Sequence, residues 1–223
     1  MRRWIVAAAA TLLIITGTTS SARGAALAGS STTAVSLSTT ASAYGQVVTA
    51  TAAVSTVPGP PQGDVVFSVD GLATKANLGA SGTATVVLPA AMVGEHAVSA
   101  TFVPQFPEVQ QGSTSSTQSW TVARVRTRLQ VRVIGKGARI PTSVQVKGAG
   151  EYGSLPTGRV TLEVDRARSA DSARTGLRLN SAGVALVDLG RLHKGRYRLV
   201  VTYAGDTQHL PERRVTRFRV QQR

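Results

Sequence analysis

One block of residues occurs twice, and that repetition constrains the fold more than any other feature of the chain. Pro61-Gln62-Gly63-Asp64-Val65 recurs 95 residues later as Pro156-Thr157-Gly158-Arg159-Val160. Gly82-Thr83-Ala84-Thr85-Val86-Val87-Leu88 recurs as Gly183-Val184-Ala185-Leu186-Val187-Asp188-Leu189, now 101 residues later. Gly94 to Phe102 recurs as Gly195 to Tyr203 at the same 101. The change in spacing implies a six-residue insertion, most simply within Arg166–Thr175. A unit of about 95–100 residues is far longer than a solenoid repeat. It has the size of a seven-strand sandwich that closes its own core.

No stretch after residue 30 holds an apolar 3.6-residue period for three turns. Short β-branched runs bounded by Gly, Pro, Ser and Asp dominate, which is an all-β pattern. In the first half this predicts strands over 33–37, 47–54, 64–69, 83–88, 96–103 and 117–122, with a short edge strand near 73–78. Alternation is plainest where Val98, Ala100 and Phe102 point one way and Ala97, Ser99 and Thr101 the other. The organisation read from the sequence is a leader over 1–28, one sandwich over 32–122 and a second over 125–221. The three residues Ala123–Val125 between them predict a semi-rigid pair.

Composition narrows the chemistry. Aromatics make up only 4% of the chain, so the cores must be filled by Val, Leu, Ala and Ile. There is no Cys, which excludes disulfides, thiolate metal sites, thiol nucleophiles and an acylated Cys. Arg2 and Arg3 precede the apolar run Trp4–Ile15, and Ala26-Leu27-Ala28 supplies a small-x-small cleavage site, the pattern of an export signal. The apolar run is shorter than the ~20 residues of a membrane span, so cleavage near Ala28 and an extracellular or cell-surface location are expected. Leu210-Pro211-Glu212-Arg213 lacks the Thr-Gly, apolar span and basic tail that wall sorting needs.

Both halves resemble the bacterial immunoglobulin-like domains found as repeats in surface and secreted proteins. The first carries the family's Tyr-Gly-Gln-x-Val-Thr opening as Tyr44-Gly45-Gln46-Val47-Val48-Thr49. Pro-x-Gly-x-Val turns stand at Pro61 and Pro156, and Gly-x-His/Tyr strands begin at Gly94 and Gly195. The second half keeps a Tyr-x-Gly-Asp ending as Tyr203-Ala204-Gly205-Asp206. It departs at Ala138-Arg139-Ile140, where the Tyr-Gly-Gln should stand, and the first half has Pro104-Gln105 in place of Gly-Asp. The resemblance implies two tandem Greek-key β-sandwiches with adhesive, spacer or binding roles and no shared catalytic residues. A scaffold does not fix a function.

The residues offer little catalytic chemistry. His96, His193 and His209 read as surface or turn histidines. His193 and His209 flank a strand of about eight residues, roughly 26 Å, too far apart to share a zinc. Glu163 and Asp165 share a strand face and read as partners for Arg on neighbouring strands rather than a hydrolytic pair. No Gly-x-Ser-x-Gly elbow supports a nucleophile. Asp70 and Asp206 read as turn caps. No enzyme activity, cofactor or metal site is expected.

Charge is the feature above background. The formal net charge is +14, yet residues 29–122 hold one lysine against four acids. Residues 123–223 hold three lysines and eighteen arginines against seven acids. Period two puts Arg124, Arg126, Arg128 and Arg132 on one face of the first strand of this half, Arg196 and Arg198 on the sixth, and Arg217 and Arg219 on the last. If the first strand pairs with the last, all eight line one outer sheet face. Guanidinium forks on such a face would bind phosphate or carboxylate. Candidate partners are a wall polymer, an acidic polysaccharide, a lipid headgroup or a surface protein. Sequence-specific nucleic acid is disfavoured, because Trp120 is the only Trp after the leader and no stacking platform accompanies the arginines. The other reading is that Arg fills solvated strand faces and blocks edge pairing. The functions left open are a non-enzymatic secreted or surface adhesion-type protein, a binder of an anionic envelope polymer, and an accessory module of an enzyme on another chain.

Overall fold

The computed structural model describes residues 28–167 and 172–221. The leader motifs lie outside the described residues, apart from Ala28. All named elements are β-strands. Among the described residues no helix is long and apolar enough to cross a membrane.

The first sandwich packs two sheets. One is β1 (Ser30–Leu37), β3 (Thr49–Val57) and β6 (Thr83–Val87) in the order β1-β3-β6. The other runs β2 (Ala41–Ala43), β9 (Gln118–Ala123), β7 (Gly94–Pro104), β4 (Gly63–Val69), β5 (Leu72–Asn77), with β8 (Ser113–Thr114) also paired to β7. The short β2, absent from the sequence reading, pairs in parallel with the last strand, β9. Val65, Phe67, Val98, Ala100 and Phe102 are all within 1% of full burial, so the alternation read on β7 points its apolar set into the core.

The second sandwich repeats the plan. Strands β10 (Thr127–Ile134), β11 (Ser143–Gly150) and β14 (Val184–Asp188) form one sheet in that order. The facing sheet has the order β13 (Ser172–Leu179), β12 (Gly158–Arg166), β15 (Gly195–Tyr203), β16 (Glu212–Val220). Its core is a separate cluster of Val144, Val146, Leu162, Leu199, Val201, Tyr203 and their neighbours. Each such buried side chain contributes about 1.5–3 kcal/mol.

The six-residue change in spacing falls between β12 and β13. The β4–β5 ladder closes at Val69↔Leu72, and the intervening Asp70 (φ 51) and Gly71 (φ 88) make the two-residue turn that matches strand twist. The corresponding pair on β12–β13 is Val164↔Ala173, and that ladder has one further pair, Asp165↔Ser172.

The two sandwiches meet through a built junction. Val125, between β9 and β10, is fully buried and bonds to the second sandwich on both sides: its amide to the Gln208 carbonyl at 2.9 Å and its carbonyl to the Leu210 amide at 2.8 Å. From the first sandwich the Val93 amide donates to the Gln208 side-chain oxygen (3.0 Å), and the Tyr44 ring meets His209 edge-on at 5.9 Å. The sequence reads His209 as a surface or turn histidine; it does stand in the turn between β15 and β16, but it is only 2% exposed, because the junction closes over it. Its Nδ1 bonds Asp206 at 2.9 Å and its Nε2 pairs with the Ser154 hydroxyl at 2.9 Å.

His209→Ala removes two hydrogen bonds and the Tyr44 contact, leaving Asp206 and Ser154 short of a partner. The expected cost is about 1–3 kcal/mol in the second sandwich. Small-angle scattering is expected to give one narrow interdomain distance for the intact chain and a broadened one for the variant. A broad distribution in the intact chain would contradict a fixed junction.

Candidate anion-binding surface

The eight arginines do not share one face. The first strand pairs with β11, in the sheet opposite β15 and β16. Arg128 and Arg132, exposed on β10, therefore lie on the outer face of the other sheet. Arg124 and Arg126 flank the buried Val125 in the linker and belong to neither face. Among the described residues, backbone pairing between the first-strand region and the last strand with its preceding loop is limited to two isolated parallel bridges, Val125↔His209 and Gly137↔Gln221, too short to carry a continuous sheet around the edge.

The other four are brought together. Pairing of β15 with β16 sets Arg196 directly opposite Arg219 and Arg198 directly opposite Arg217. Tyr197 and Phe218, between them in sequence, point inward and stack at 5.3 Å with ring planes 14° apart. That inward pair locks the outward direction of all four arginines, since side chains alternate along a strand. Like charges directly across a ladder are destabilising, and one acid answers them: Asp165 on β12 contacts Arg198 at 3.3 Å. Glu163 is engaged on the other side, with Arg174 of β13 at 3.6 Å. These two carboxylates thus serve as partners for Arg on neighbouring strands. Val200 also points outward yet is 1% exposed, so the long side chains around it cover apolar surface with their stems.

The four arginines edge an open groove of about 590 Å³ that Arg166 also lines. Arg166 lies at the end of β12, where its guanidinium donates to the Lys194 carbonyl at 2.9 Å. A second groove, of about 380 Å³, shares Arg219 and adds Lys136, Arg139 and Ile140. A third, of about 400 Å³, shares Arg166 and adds Arg191 and His193. These grooves adjoin around the pole of the second sandwich opposite the linker. Sequence periodicity could not find Arg166, Lys136, Arg139 or Arg191, because Arg166 ends β12 and the others sit in loops that only the topology brings beside β15 and β16.

The remaining polar clusters serve structure. Ser154, His209 and Asp206 stand in the order hydroxyl, imidazole, carboxylate. A Cβ on Gly150 would collide with the Ser154 hydroxyl, and the His209 ring between the other two is buried, while Ser154 and Asp206 are part-exposed. Burial alone would raise the Asp206 pKa. The amides of Thr157 and Gln208 and the His209 ring bond the carboxylate and hold it well below the usual range. Asp206 is thereby a turn cap, as its sequence context predicts. In the first sandwich Asp70 accepts from the Ala97 amide (2.8 Å) and pairs with His96 Nδ1 (2.6 Å), while His96 Nε2 reaches the Met92 carbonyl (2.8 Å). Asp70 raises the His96 pKa above its ordinary value, and His96 in turn lowers that of Asp70. Among the described residues no group of three or more His, Asp or Glu side chains is arranged to hold a metal ion.

No family model matches the chain, and no curated protein sequence matches it. Among solved structures it is similar to the fibronectin(III)-like modules of CbhA from Clostridium thermocellum, at 16% identity over 84% of this chain and 94% of that one, with a TM-score of 0.32. It is also similar to the adhesin InvE of Yersinia pseudotuberculosis, at 16% identity over 84% of this chain but 58% of that one, with a TM-score of 0.39. A two-domain fibronectin type III segment of chicken tenascin aligns at 9% identity over 82% of this chain and 97% of that one, with a TM-score of 0.42. Likenesses this distant carry no functional weight. The strand order and register above define two tandem immunoglobulin-like sandwiches.

The histidine of the first sandwich gives a signed pH test. Because the folded pKa of His96 is raised, its contribution to stability is full below about pH 6.5, its unfolded value, and is lost as pH rises through the folded pKa. An NMR titration is expected to place His96 above the ordinary histidine value and Asp70→Asn to bring it back. An unshifted His96 in the intact protein would refute the pairing.

Proposed function

We propose that the chain is an exported, non-enzymatic interaction protein whose second sandwich holds it on an anionic component of the cell envelope. The first sandwich, with few charges, then acts as the adhesive or spacer module. The observation that carries this reading is the pair of like-charged ladder pairings, Arg196↔Arg219 and Arg198↔Arg217, answered among the described residues by Asp165. A solvated strand needs no such alignment, and its cost falls away when an anion lies across it. Planar guanidinium groups take phosphate or carboxylate oxygens two at a time, with geometry that ammonium groups lack. The export pattern of the leader and the resemblance to surface repeat domains place such anions within reach: wall polymers, acidic polysaccharides and lipid headgroups. A nucleic-acid role has less support: Tyr197 and Phe218 line the groove but stack on each other and are only 6% and 8% exposed, which leaves little ring surface for a base.

The expected behaviour is co-sedimentation of the mature protein with purified envelope at low salt and release at moderate salt. Arg196→Gln/Arg217→Gln/Arg219→Gln is expected to lose most of that retention, and Arg128→Gln/Arg132→Gln, on the opposite sheet, much less. Retention indifferent to salt and to the triple change would refute the reading.

A further inference from the structure

We propose that the pole of the second sandwich farthest from the linker docks end-on against an anionic phospholipid surface, with Ile140 entering the interface. This deepens the anion-binding reading and rests on it. The three grooves at this pole are joined by shared residues, Arg219 between two of them and Arg166 between the next two, so their cations form one connected surface. Eight Lys and Arg side chains line it, and Asp165 is its one lining acid among the described residues. Asp188, nearby, is occupied in capping the Gly190 amide at 2.8 Å.

A polymer binder needs only the charge, but this pole also carries exposed apolar side chains. Ile140 is 51% exposed in the β10–β11 loop, one residue after Arg139, and Ile134 is 42% exposed at the end of β10. The loop is anchored where it leaves the strand: the Ala138 amide bonds the Gln221 carbonyl at 2.9 Å, and the Gln221 amide bonds the Lys136 carbonyl at 3.0 Å. Ile140 is therefore presented from a fixed base. Basic groups around a projecting apolar side chain suit a bilayer surface, where anionic headgroups attract the cations and the apolar group reaches the acyl boundary. The linker and Val125 lie at the other end of the same sandwich. End-on docking thus directs the first sandwich away from the surface.

The test is sedimentation of the mature protein with vesicles of phosphatidylglycerol in phosphatidylcholine, against phosphatidylcholine alone, at low salt. Binding is expected to require phosphatidylglycerol. Each cation lost at the pole, as in Arg139→Gln or Arg219→Gln, is expected to weaken it roughly fivefold, and Ile140→Ser roughly three- to tenfold. Arg213→Gln/Arg214→Gln removes two charges from the linker end of β16 and is expected to matter less than Arg139→Gln/Arg219→Gln, which removes two from the pole. Soluble polyphosphate is the parallel probe. Binding to polyphosphate without binding to vesicles overturns the lipid proposal and leaves the anion-binding reading standing. Binding to neither probe overturns both. Vesicle binding unmoved by Ile140→Ser, or equally sensitive to Arg213→Gln/Arg214→Gln, overturns end-on docking.

Discussion

The register of β15 against β16 is the constraint on which the functional surface depends. With Tyr197 opposite Phe218 in the core, Arg196 and Arg198 have no choice but to face Arg219 and Arg217 outside. A slip of one residue would carry guanidinium groups into a core and rings into water, so the register is as firmly held as the core itself. The arginines are thereby pre-organised by apolar packing, and an anion that meets them does not have to order the backbone beneath. The repulsion built into the ladder is small beside the burial of Leu199, Val201 and Tyr203 on the same strand.

The junction gives this surface a direction. Val125 forms a parallel bridge with His209, and the loop that carries His209 also supplies Gln208 to the first sandwich. One short loop therefore caps its own turn through Asp206, fixes the linker and receives Tyr44. The hydroxyl–imidazole–carboxylate chain at this place has the composition of a nucleophilic site. The buried His209 ring and the amide bonds to Asp206 tie this loop to the junction. Two sandwiches joined in this way hold their outer poles apart, the first in a half with few charges and a small acidic excess, the second strongly basic.

Much of the fold was legible because strands write a period of two into the sequence. Val98-Ala100-Phe102 and Tyr197-Leu199-Val201-Tyr203 announced their inward faces, and the repeated Pro-x-Gly-x-Val and Gly-rich turns announced the same order of strands twice. Pairing partners were less legible. Nothing in the Arg124–Val133 alternation says which sheet that strand joins, so Arg128 and Arg132 were grouped with arginines that lie on the opposite face. Short pieces such as β2 and β8 carry too few residues to show a period. The burial of His209 was not legible, because burial in a loop follows from contact with another domain, here Tyr44, rather than from local pattern. The clustering of Lys136, Arg139 and Arg166 is of the same kind, since residues far apart in sequence meet only once the strands are ordered.

The most direct test of the central claim is the unfolding free energy of Arg219→Gln at low and high salt, read beside its retention on purified envelope. Arg219 faces Arg196 across the ladder, and among the described residues it has no acidic partner. The variant is expected to be more stable than the parent at low salt, by a few tenths to about 1 kcal/mol. Salt is expected to erase the gain, and retention to weaken. A variant that loses stability while keeping its retention would contradict the account, and would return these arginines to the ordinary work of covering a strand.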